Sequence, residues 1–263
     1  MAKAADGMLV GERRAQILEL LARESTVRVA QVAQEFGVSR VTARADLDAL
    51  AADGKLRRTH GGAVALTKAV TVSEQERRVN VNVEAKRAIA RVAQGLVEDG
   101  SSVLVDSGTT GLELVRALGG KRGVTVVTTD LTIADVIDRS LPSLDVVLLG
   151  GALNKGHRYT FGPIALHALE GLHPDVAFVC PTAYVPGRGL MTNNQLMAEL
   201  KRAMLACAEK TYVLMDASKV GARGLMRFGG LEGVDAVVME ADPEGLVAAE
   251  LGELARPPQL LLP

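Results

Sequence analysis

Short runs of β-branched and other apolar residues alternate with helical segments over most of the chain, and this alternation restricts the possible folds more than any other feature. The runs begin at Val103, Val124, Val146, Val176 and Val213, and segments with helical spacing separate them. Parallel strands need such a crossover segment between them, whereas antiparallel hairpins do not. The pattern therefore predicts an α/β domain, with a parallel sheet that helices cover on both faces.

The first 66 residues follow a different pattern, in which three helical segments precede a short β-ribbon. The first segment starts at Glu12, the second ends at Gly37, and the third starts after Ser39, a residue type that favours the position preceding a helix. Two β-rich runs flank the pair Gly61-Gly62. This order predicts a winged helix-turn-helix domain, whose third helix enters the DNA major groove. The apolar face of that helix is predicted to comprise Val41, Ala45, Leu47 and Leu50.

The charge distribution is compatible with two domains. The chain has 30 basic and 31 acidic residues. Residues 1–68 contain 11 of the basic and 8 of the acidic residues, and the remaining 195 residues contain 19 basic and 23 acidic ones. A small basic module is thus joined to a larger, mildly acidic one. We assign residues 7–66 to the winged helix-turn-helix domain, 67–83 to a linker and 84–263 to the α/β domain. Aromatic residues make up 3% and tryptophan is absent, which argues against stacking on single-stranded nucleic acid.

Side chains on the third helix and the ribbon are candidates for DNA contacts. Arginine forms bidentate hydrogen bonds with guanine, and the threonine methyl group can contact a thymine methyl. Basic residues of the ribbon are expected to meet phosphates or the minor groove. The candidates are Ser39, Arg40, Thr42, Arg44, Arg57, Arg58 and His60. The pattern alone leaves open an alternative, which is a small helical bundle with an ordinary solvated face.

The loops after the predicted strands contain residue types that bind anions. In the loop that starts at Asp106, Gly108 allows close backbone approach, and Thr109 and Thr110 offer hydroxyl groups where a helix begins. The first N–H groups of a helix and its dipole favour a phosphate. Lys219, after the last of these strands, could pair with a phosphate as a point charge. The alternative is an ordinary strand-to-helix connection and a surface lysine.

The N-terminal part resembles the DNA-binding domain of the DeoR family of bacterial transcriptional regulators. The spaced positions that match are Arg13, Ile17, Leu21, Ser39, Thr42, Arg44, Asp46 and Leu47, and the ribbon matches at Gly54, Leu56, Arg58, His60, Gly61, Gly62 and Ala63. The second part resembles the C-terminal domain of the same family, a Rossmann-like α/β domain similar to ribose-5-phosphate isomerase and coenzyme A transferases.

In that family the C-terminal domain senses phosphorylated sugars, so the resemblance implies an effector site. The residues it assigns to effector contacts are Asp106, Gly108, Thr109, Thr110, Thr128, Gly150, Gly151, Lys201, Asp216, Ser218 and Lys219. Lys86 and Arg202 also match basic positions of the family. The chain departs from the family at Thr129, where Asn is usual, at Cys180-Pro181, and at Met197, where Glu is usual. The lost carboxylate removes an acceptor for sugar hydroxyls and leaves the effector identity open.

The resemblance implies a sequence-specific DNA-binding regulator, a repressor of carbohydrate genes that a phosphorylated sugar relieves and that acts as a homo-oligomer. The alternative is a sugar-phosphate isomerase-like enzyme with an appended DNA-binding segment, which needs a general base such as Asp106 or Asp130. We expect no catalytic function, cofactor or metal, since the histidines lack ligand spacing. We also expect no membrane span, and a cytoplasmic location where Cys180 and Cys207 remain reduced.

Overall fold

The computed structural model describes residues 9–24, 26–65 and 78–263. The chain divides into two compact units, Met1–Thr71 and Val72–Pro263. The division falls inside the segment 67–83 that was predicted to be a linker. Residues 67–77 of that segment lie outside the described residues, as do residues 7 and 8 at the start of the first predicted domain.

The first unit contains three helices and a three-stranded antiparallel sheet of order β1-β3-β2. The elements are α1 (Val10–Glu24), β1 (Thr26–Arg28), α2 (Val29–Glu35), α3 (Arg40–Ala52), β2 (Leu56–Thr59) and β3 (Gly62–Ala65). The predicted winged helix-turn-helix is therefore confirmed. Strand β1 was not predicted, because a strand of three residues is too short to show a period of its own.

One face of α3 packs into the core of this unit, but it is not the predicted face. Ala43, Leu47 and Leu50 are buried, whereas the side chain of Val41 is 73% exposed and Ala45 is exposed too. The prediction was wrong for these two residues because apolar residues occur on both sides of the helix. The fourth buried position of the face is Asp46.

Asp46 is a charged residue in the core of the first unit, and two arginines of α1 compensate it. The Nε atoms of Arg13 and Arg14 donate to its two carboxylate oxygens at 2.6 and 3.0 Å. Burial alone would raise the pKa of Asp46, but the hydrogen bonds and charges of the two arginines outweigh burial and hold the pKa below its ordinary value. This ion pair joins α1 to α3.

The second unit is built around a seven-stranded sheet of order β15-β14-β12-β9-β4-β5-β6, in which all neighbouring strands are parallel. Its strands are β4 (Ser102–Val105), β5 (Val124–Thr128), β6 (Leu144–Leu148), β9 (Val176–Val179), β12 (Lys210–Leu214), β14 (Ala236–Val238) and β15 (Gln259–Leu261). The five predicted runs form β4, β5, β6, β9 and β12. The predicted parallel sheet is confirmed.

Helices cover both faces of this sheet. They are α4 (Val83–Ala93), α5 (Thr109–Ala117), α6 (Leu131–Ser140), α7 (Pro163–Glu170), α8 (Gln195–Ala206) and α9 (Leu246–Glu253). Residues of α4, α5 and α6 belong to one apolar core, and residues of α7, α8 and α9 belong to the other. Within the described part of the chain, no helix is long and apolar enough to cross a membrane.

Smaller elements extend from the sheet. A hairpin is formed by β7 (Ala152–Asn154) and β8 (Tyr159–Phe161), and an antiparallel sheet by β10 (Ala183–Val185), β11 (Gly189–Thr192) and β13 (Met226–Gly229). Near the C-terminus, Leu260 and Leu261 belong to β15, which pairs with β14.

The direction of the winding reverses at β4. From this central strand the chain proceeds outward through β5 to β6, and it then returns to the other side of β4 and proceeds through β9 to β12. The loops that follow β4 and β9 therefore diverge and leave a crevice at the carboxyl ends of the strands. Ligands of open α/β sheets bind in such a crevice.

Candidate functional site

A cavity of about 260 Å³ lies at this crevice. The loops after β4, β9 and β12, the β7–β8 hairpin and the segment before α4 all contribute to its wall. Its polar lining residues are Arg78, Ser107, Gly108, Thr109, Thr110, Asn154, His157, Tyr159, Thr182, Thr192, Asn193, Asn194, Lys201 and Lys219, and its apolar ones are Cys180, Pro181, Met197, Leu214 and Met215. Both anion-binding and apolar side chains are thus available to a small ligand.

A buried ion pair holds the two diverging loops together beneath this cavity. Asp106, after β4, accepts hydrogen bonds from the backbone N–H groups of Ser107 at 2.7 Å and Cys180 at 2.9 Å. Lys201, on α8, donates to the same carboxylate and, at 2.9 Å, to the carbonyl oxygen of Cys180. Both charged side chains are almost completely buried. Asp106 therefore has partners for both carboxylate oxygens, and it is not among the lining residues.

The loop between β4 and α5 depends on a glycine and on a second buried carboxylate. Gly108 has φ 130°, a conformation that residues with a side chain rarely adopt. Its N–H donates to Asp130 at 3.0 Å, and the other oxygen of Asp130 caps α6 by accepting from Thr132 N at 2.7 Å. Thr109 and Thr110 then start α5, where the first N–H groups of a helix have no partner inside it. The N–H groups of Ser107 and Gly108 are thus engaged by buried carboxylates, and Thr109 and Thr110, at the start of α5, line the cavity.

The charge of the cavity wall is positive. Arg78, Lys201 and Lys219 line it, and no Asp or Glu does among the described residues. Lys201 is neutralised by Asp106. Within residues 78–263, no carboxylate forms an ion pair with Arg78 or Lys219. Within the described residues, two positive charges of the wall thus have no carboxylate partner, and a bound anion would neutralise them.

Neighbouring polar residues position these two cations. Asp216 accepts from Ser218 N at 3.1 Å and so caps the short 3-10 turn that carries Lys219, and Asn82 donates to Asp216 at 3.1 Å. The buried ammonium of Lys86 donates to the carbonyl oxygen of Arg78 at 2.6 Å and to that of Val81. Burial lowers the pKa of Lys86.

The structure brings together only part of the predicted effector residues. Gly108, Thr109, Thr110, Lys201 and Lys219 line the cavity, whereas Asp106, Thr128, Gly150, Gly151, Asp216 and Ser218 do not. The Thr128 hydroxyl accepts from Asp130 N at 3.1 Å. A Cβ on Gly151 would lie 2.5 Å from the carbonyl oxygen of Phe161, so this glycine allows the start of the hairpin to pack closely. Arg202 contacts the Arg227 carbonyl oxygen at 3.3 Å, away from the cavity.

Nine polar lining residues were not assigned to effector contacts from the sequence, namely Arg78, Ser107, Asn154, His157, Tyr159, Thr182, Thr192, Asn193 and Asn194. Tyr159 reaches the site because its strand forms a bridge with Asp130. Burial raises the pKa of Tyr159, although a hydrogen bond from Asn154 opposes this. Apart from Ser107 and Thr182, none of them lies just after a predicted strand, so the strand-end signal that identified the loop at Asp106 did not apply to the other seven.

In the first unit, the predicted DNA-contacting residues fall into two groups. Arg40, Arg44, Arg57 and His60 are exposed on α3 and the ribbon. The other three are engaged within the domain. Ser39 caps α3 by accepting from Thr42 N at 3.0 Å, the Thr42 hydroxyl lies 2.9 Å from that of Ser39, and Arg58 donates to Asp48 at 2.6 Å.

The chain combines a winged helix-turn-helix unit with an α/β unit that has a cationic cavity at its switch point. This is the architecture of a DNA-binding transcriptional regulator with a sensor domain. Two family models match the chain: the DeoR-like helix-turn-helix domain over residues 13–69 and the DeoR C terminal sensor domain over residues 81–241. The chain belongs to the DeoR family.

Curated relatives agree with this assignment over nearly the full length. The transcriptional repressor AccR of Agrobacterium fabrum is 30% identical over 237 residues, which cover 90% of this chain and 92% of the relative. The putative aga operon transcriptional repressor of Escherichia coli is 30% identical over 248 residues, 93% of this chain and 90% of the relative. The repressor GlcR of Bacillus subtilis is 29% identical, with 88% and 89% covered.

Solved structures with a similar arrangement include the ribose 5-phosphate isomerase A of Methanocaldococcus jannaschii. It has a TM-score of 0.38 and 18% identity over 53% of this chain and 55% of that one. The translation initiation factor eIF-2B of Pyrococcus horikoshii has a TM-score of 0.43 and 14% identity over 93% and 94%. The fold assignment itself rests on the strand order and the two family models.

Proposed function

We propose that this protein is a repressor whose operator affinity falls when a phosphorylated sugar or related phosphate ester fills the switch-point cavity. The observation that carries the proposal is that the described lining of this cavity contains three cationic side chains and no carboxylate. A phosphate monoester carries about −1.5 to −2 charges at pH 7, which matches the two positive charges of Arg78 and Lys219. The start of α5, with Thr109 and Thr110, supplies N–H and hydroxyl donors to the phosphate.

The remaining polar lining residues are suited to the rest of the ligand. The carbonyl oxygens of Asn154, Asn193 and Asn194 already accept from backbone N–H groups at 3.2, 3.2 and 3.1 Å. Their side-chain carbonyls are therefore engaged, and hydroxyl groups of the ligand find acceptors chiefly in the serine and threonine hydroxyls of the wall. A carboxylate at position 197 would have added a stronger acceptor.

The DNA-binding part of the proposal rests on α3 and the ribbon. In a winged helix-turn-helix, α3 enters the major groove, where Arg40 and Arg44 are exposed and able to reach guanine edges or phosphates. Arg57 and His60 extend from the ribbon toward phosphates or the minor groove. Since operators with two half-sites match proteins with two-fold symmetry, we propose that the protein acts as a homo-oligomer.

The buried carboxylates favour a regulator over an isomerase. A general base must come within hydrogen-bonding reach of its substrate. Asp106 is bound by two N–H groups and the Lys201 ammonium, and Asp130 caps α6 and holds Gly108. Neither carboxylate lines the cavity. Both candidates for the base therefore serve to hold the loops.

The test measures binding of the full chain to the DNA upstream of its own and adjacent genes by fluorescence anisotropy. We expect salt-sensitive, sequence-selective binding that ribose 5-phosphate, glucose 6-phosphate or fructose 6-phosphate weakens. Lys219→Ala should bind the operator normally but need at least tenfold more ligand for release. Lys210→Ala, which removes an exposed lysine at the opposite end of β12, is the matched control.

Absence of selective DNA binding would reject the repressor. If Lys219→Ala needs no more ligand than the wild-type protein for release from the operator, the cavity is rejected as the effector site. Conversion of ribose 5-phosphate to a ketose, with the turnover abolished in Asp106→Ala, would favour the isomerase.

A further inference from the structure

Val41 is a large apolar side chain on the face of α3 that points away from the domain core. Positions 41, 44, 45 and 48 follow the i, i+3, i+4, i+7 spacing of one helix face, and all four residues are exposed. The opposite face, with the same spacing, consists of the buried positions 43, 46, 47 and 50. Because Val41 is 73% exposed, it adds almost nothing to the packing of the described domain.

Its place on the helix distinguishes Val41 from an ordinary exposed apolar residue, which needs no explanation. It is the second residue of α3, and the first residues of a recognition helix contact base edges. It stands next to Arg40, and Arg44 follows one turn later. Ala45, also exposed and small, lets the backbone approach the groove closely.

The chemistry of valine selects one feature of the major groove. Valine has no hydrogen-bonding group, so it cannot read the donors and acceptors that distinguish guanine, adenine and cytosine. The C5 methyl group of thymine is the one apolar group that a base pair presents there. In a helix the β-branched side chain of valine has a single strongly preferred rotamer, so little conformational freedom is lost on contact.

Thr42, the residue expected from the sequence to make such a contact, is less suited to it. Its hydroxyl is 2.9 Å from that of Ser39, and its backbone N–H donates to the same oxygen. The side chain is half-buried in the cap of α3. Val41 has no comparable role within the described part of the domain.

We propose that Val41 contacts the C5 methyl group of a thymine and thereby specifies thymine at one position of each operator half-site. The proposal rests on DNA binding by α3 but not on the effector. It assigns base recognition to a residue without hydrogen-bonding groups, beside arginines that read guanine or bind phosphates.

The test uses an operator selected from random duplexes by the full chain. Each thymine is replaced in turn by uracil, which differs only in lacking the methyl group. We expect one replacement per half-site to weaken binding of the wild-type protein about fourfold, the effect of exposing one buried methyl-sized group. Val41→Ala should bind the thymine operator more weakly and lose this sensitivity to uracil. Val41→Thr, which retains one methyl group, should keep part of it.

Ile164→Ala is the control variant. Ile164 is another β-branched residue, 69% exposed, on α7 of the second unit, and its truncation should leave the uracil effect intact. The proposal would be overturned if no replacement of thymine by uracil weakened binding of the wild-type protein. It would also be overturned if Val41→Ala lost as much affinity as the wild-type protein when the same thymine was replaced. A Val41→Ala protein without any selective binding would overturn it too, because one methyl contact cannot account for all recognition. If the selection enriches no sequence, DNA binding itself is rejected.

Discussion

Removal of the Lys201 ammonium is the perturbation that most directly tests how the switch point is held together. Lys201→Met keeps the length of the side chain but leaves the Asp106 carboxylate buried without a cation. Loss of one partner of a buried ion pair costs about 3–5 kcal/mol. Because Asp106 keeps the N–H donors of Ser107 and Cys180, we expect the lower end of this range.

The double variant should be more stable than the two single variants suggest. In Asp106→Asn/Lys201→Met the uncompensated charge is absent, so the coupling between the two positions should reach about 2–3 kcal/mol, the upper part of the range for residues in contact. Asp106→Asn alone should also destabilise the unit, since the buried ammonium then loses its counter-charge and keeps the carbonyl oxygen of Cys180 and the Phe228 ring, whose centroid is 5.8 Å away.

Tyrosine fluorescence offers an assay specific to this unit. The chain has no tryptophan, and its three tyrosines, Tyr159, Tyr184 and Tyr212, all lie in the second unit. Urea unfolding followed at the tyrosine emission therefore reports the sensor domain alone. With a urea dependence of about 2–3 kcal/mol per M, the Lys201→Met midpoint should fall by about 1 M. An unchanged midpoint, or strictly additive effects in the double variant, would refute the stated role of the ion pair.

Three further outcomes are expected. Asp46→Asn should lower the free energy of unfolding of the first unit near pH 7 by about 1–3 kcal/mol, a value typical of a lost charged hydrogen bond. Because the pKa of Asp46 is depressed in the folded state, its stabilisation is present above its unfolded pKa of about 4 and is lost as the pH falls through the folded value. Calorimetry of the variant should therefore show a stability that depends less on acid pH than that of the wild-type protein. Gly111→Ala should lower the urea midpoint detected by tyrosine fluorescence, since its Cβ would lie 2.7 Å from the Asp106 carbonyl oxygen. Gly252→Ala is the control and should be neutral or stabilising, because its Cβ would have no atom within 4 Å. Met197→Glu should increase the thermal shift given by hydroxyl-rich sugar phosphates relative to Met197→Gln, because a carboxylate one turn before Lys201 restores an acceptor; equal shifts for the two variants would contradict this.

The sequence was informative where a local pattern determines the structure. Each of the five predicted strands is a short apolar run, and helical segments separate these runs along the chain, so their existence and their parallel orientation follow from the alternation. The order of the strands does not, because it depends on which edges pair across the chain. The switch point between β4 and β9, and with it the place of the cavity, therefore became evident only from the pairing of Val103 with Val126 and with Val176.

Helix α3 shows why a periodic pattern can mislead. Val41 and Ala45 have the same four-residue spacing as Ala43 and Leu47, so the helix has two apolar faces. The helical periodicity of the sequence does not show which of the two faces is buried. The deciding residue is Asp46, whose burial is acceptable because Arg13 and Arg14, 33 and 32 residues earlier, donate to it. Similarly, the role of Asp106 depends on Lys201, 95 residues later. Contacts between residues so distant in sequence leave no local signal.

Arg78 connects the cavity to the residues that precede α4. It lines the cavity and is the first described residue of the second unit. Its backbone is held by Lys86, and Asn82, four residues later, donates to Asp216 in the turn that carries Lys219. In the proposed function, a phosphate ester that neutralises both cations would contact residues on both sides of this hydrogen bond. An effector shifts an equilibrium only through interactions that differ between the two states. Since Asp106 and Lys201 are already paired beneath the cavity, the proposed effector would act chiefly through the charges of Arg78 and Lys219.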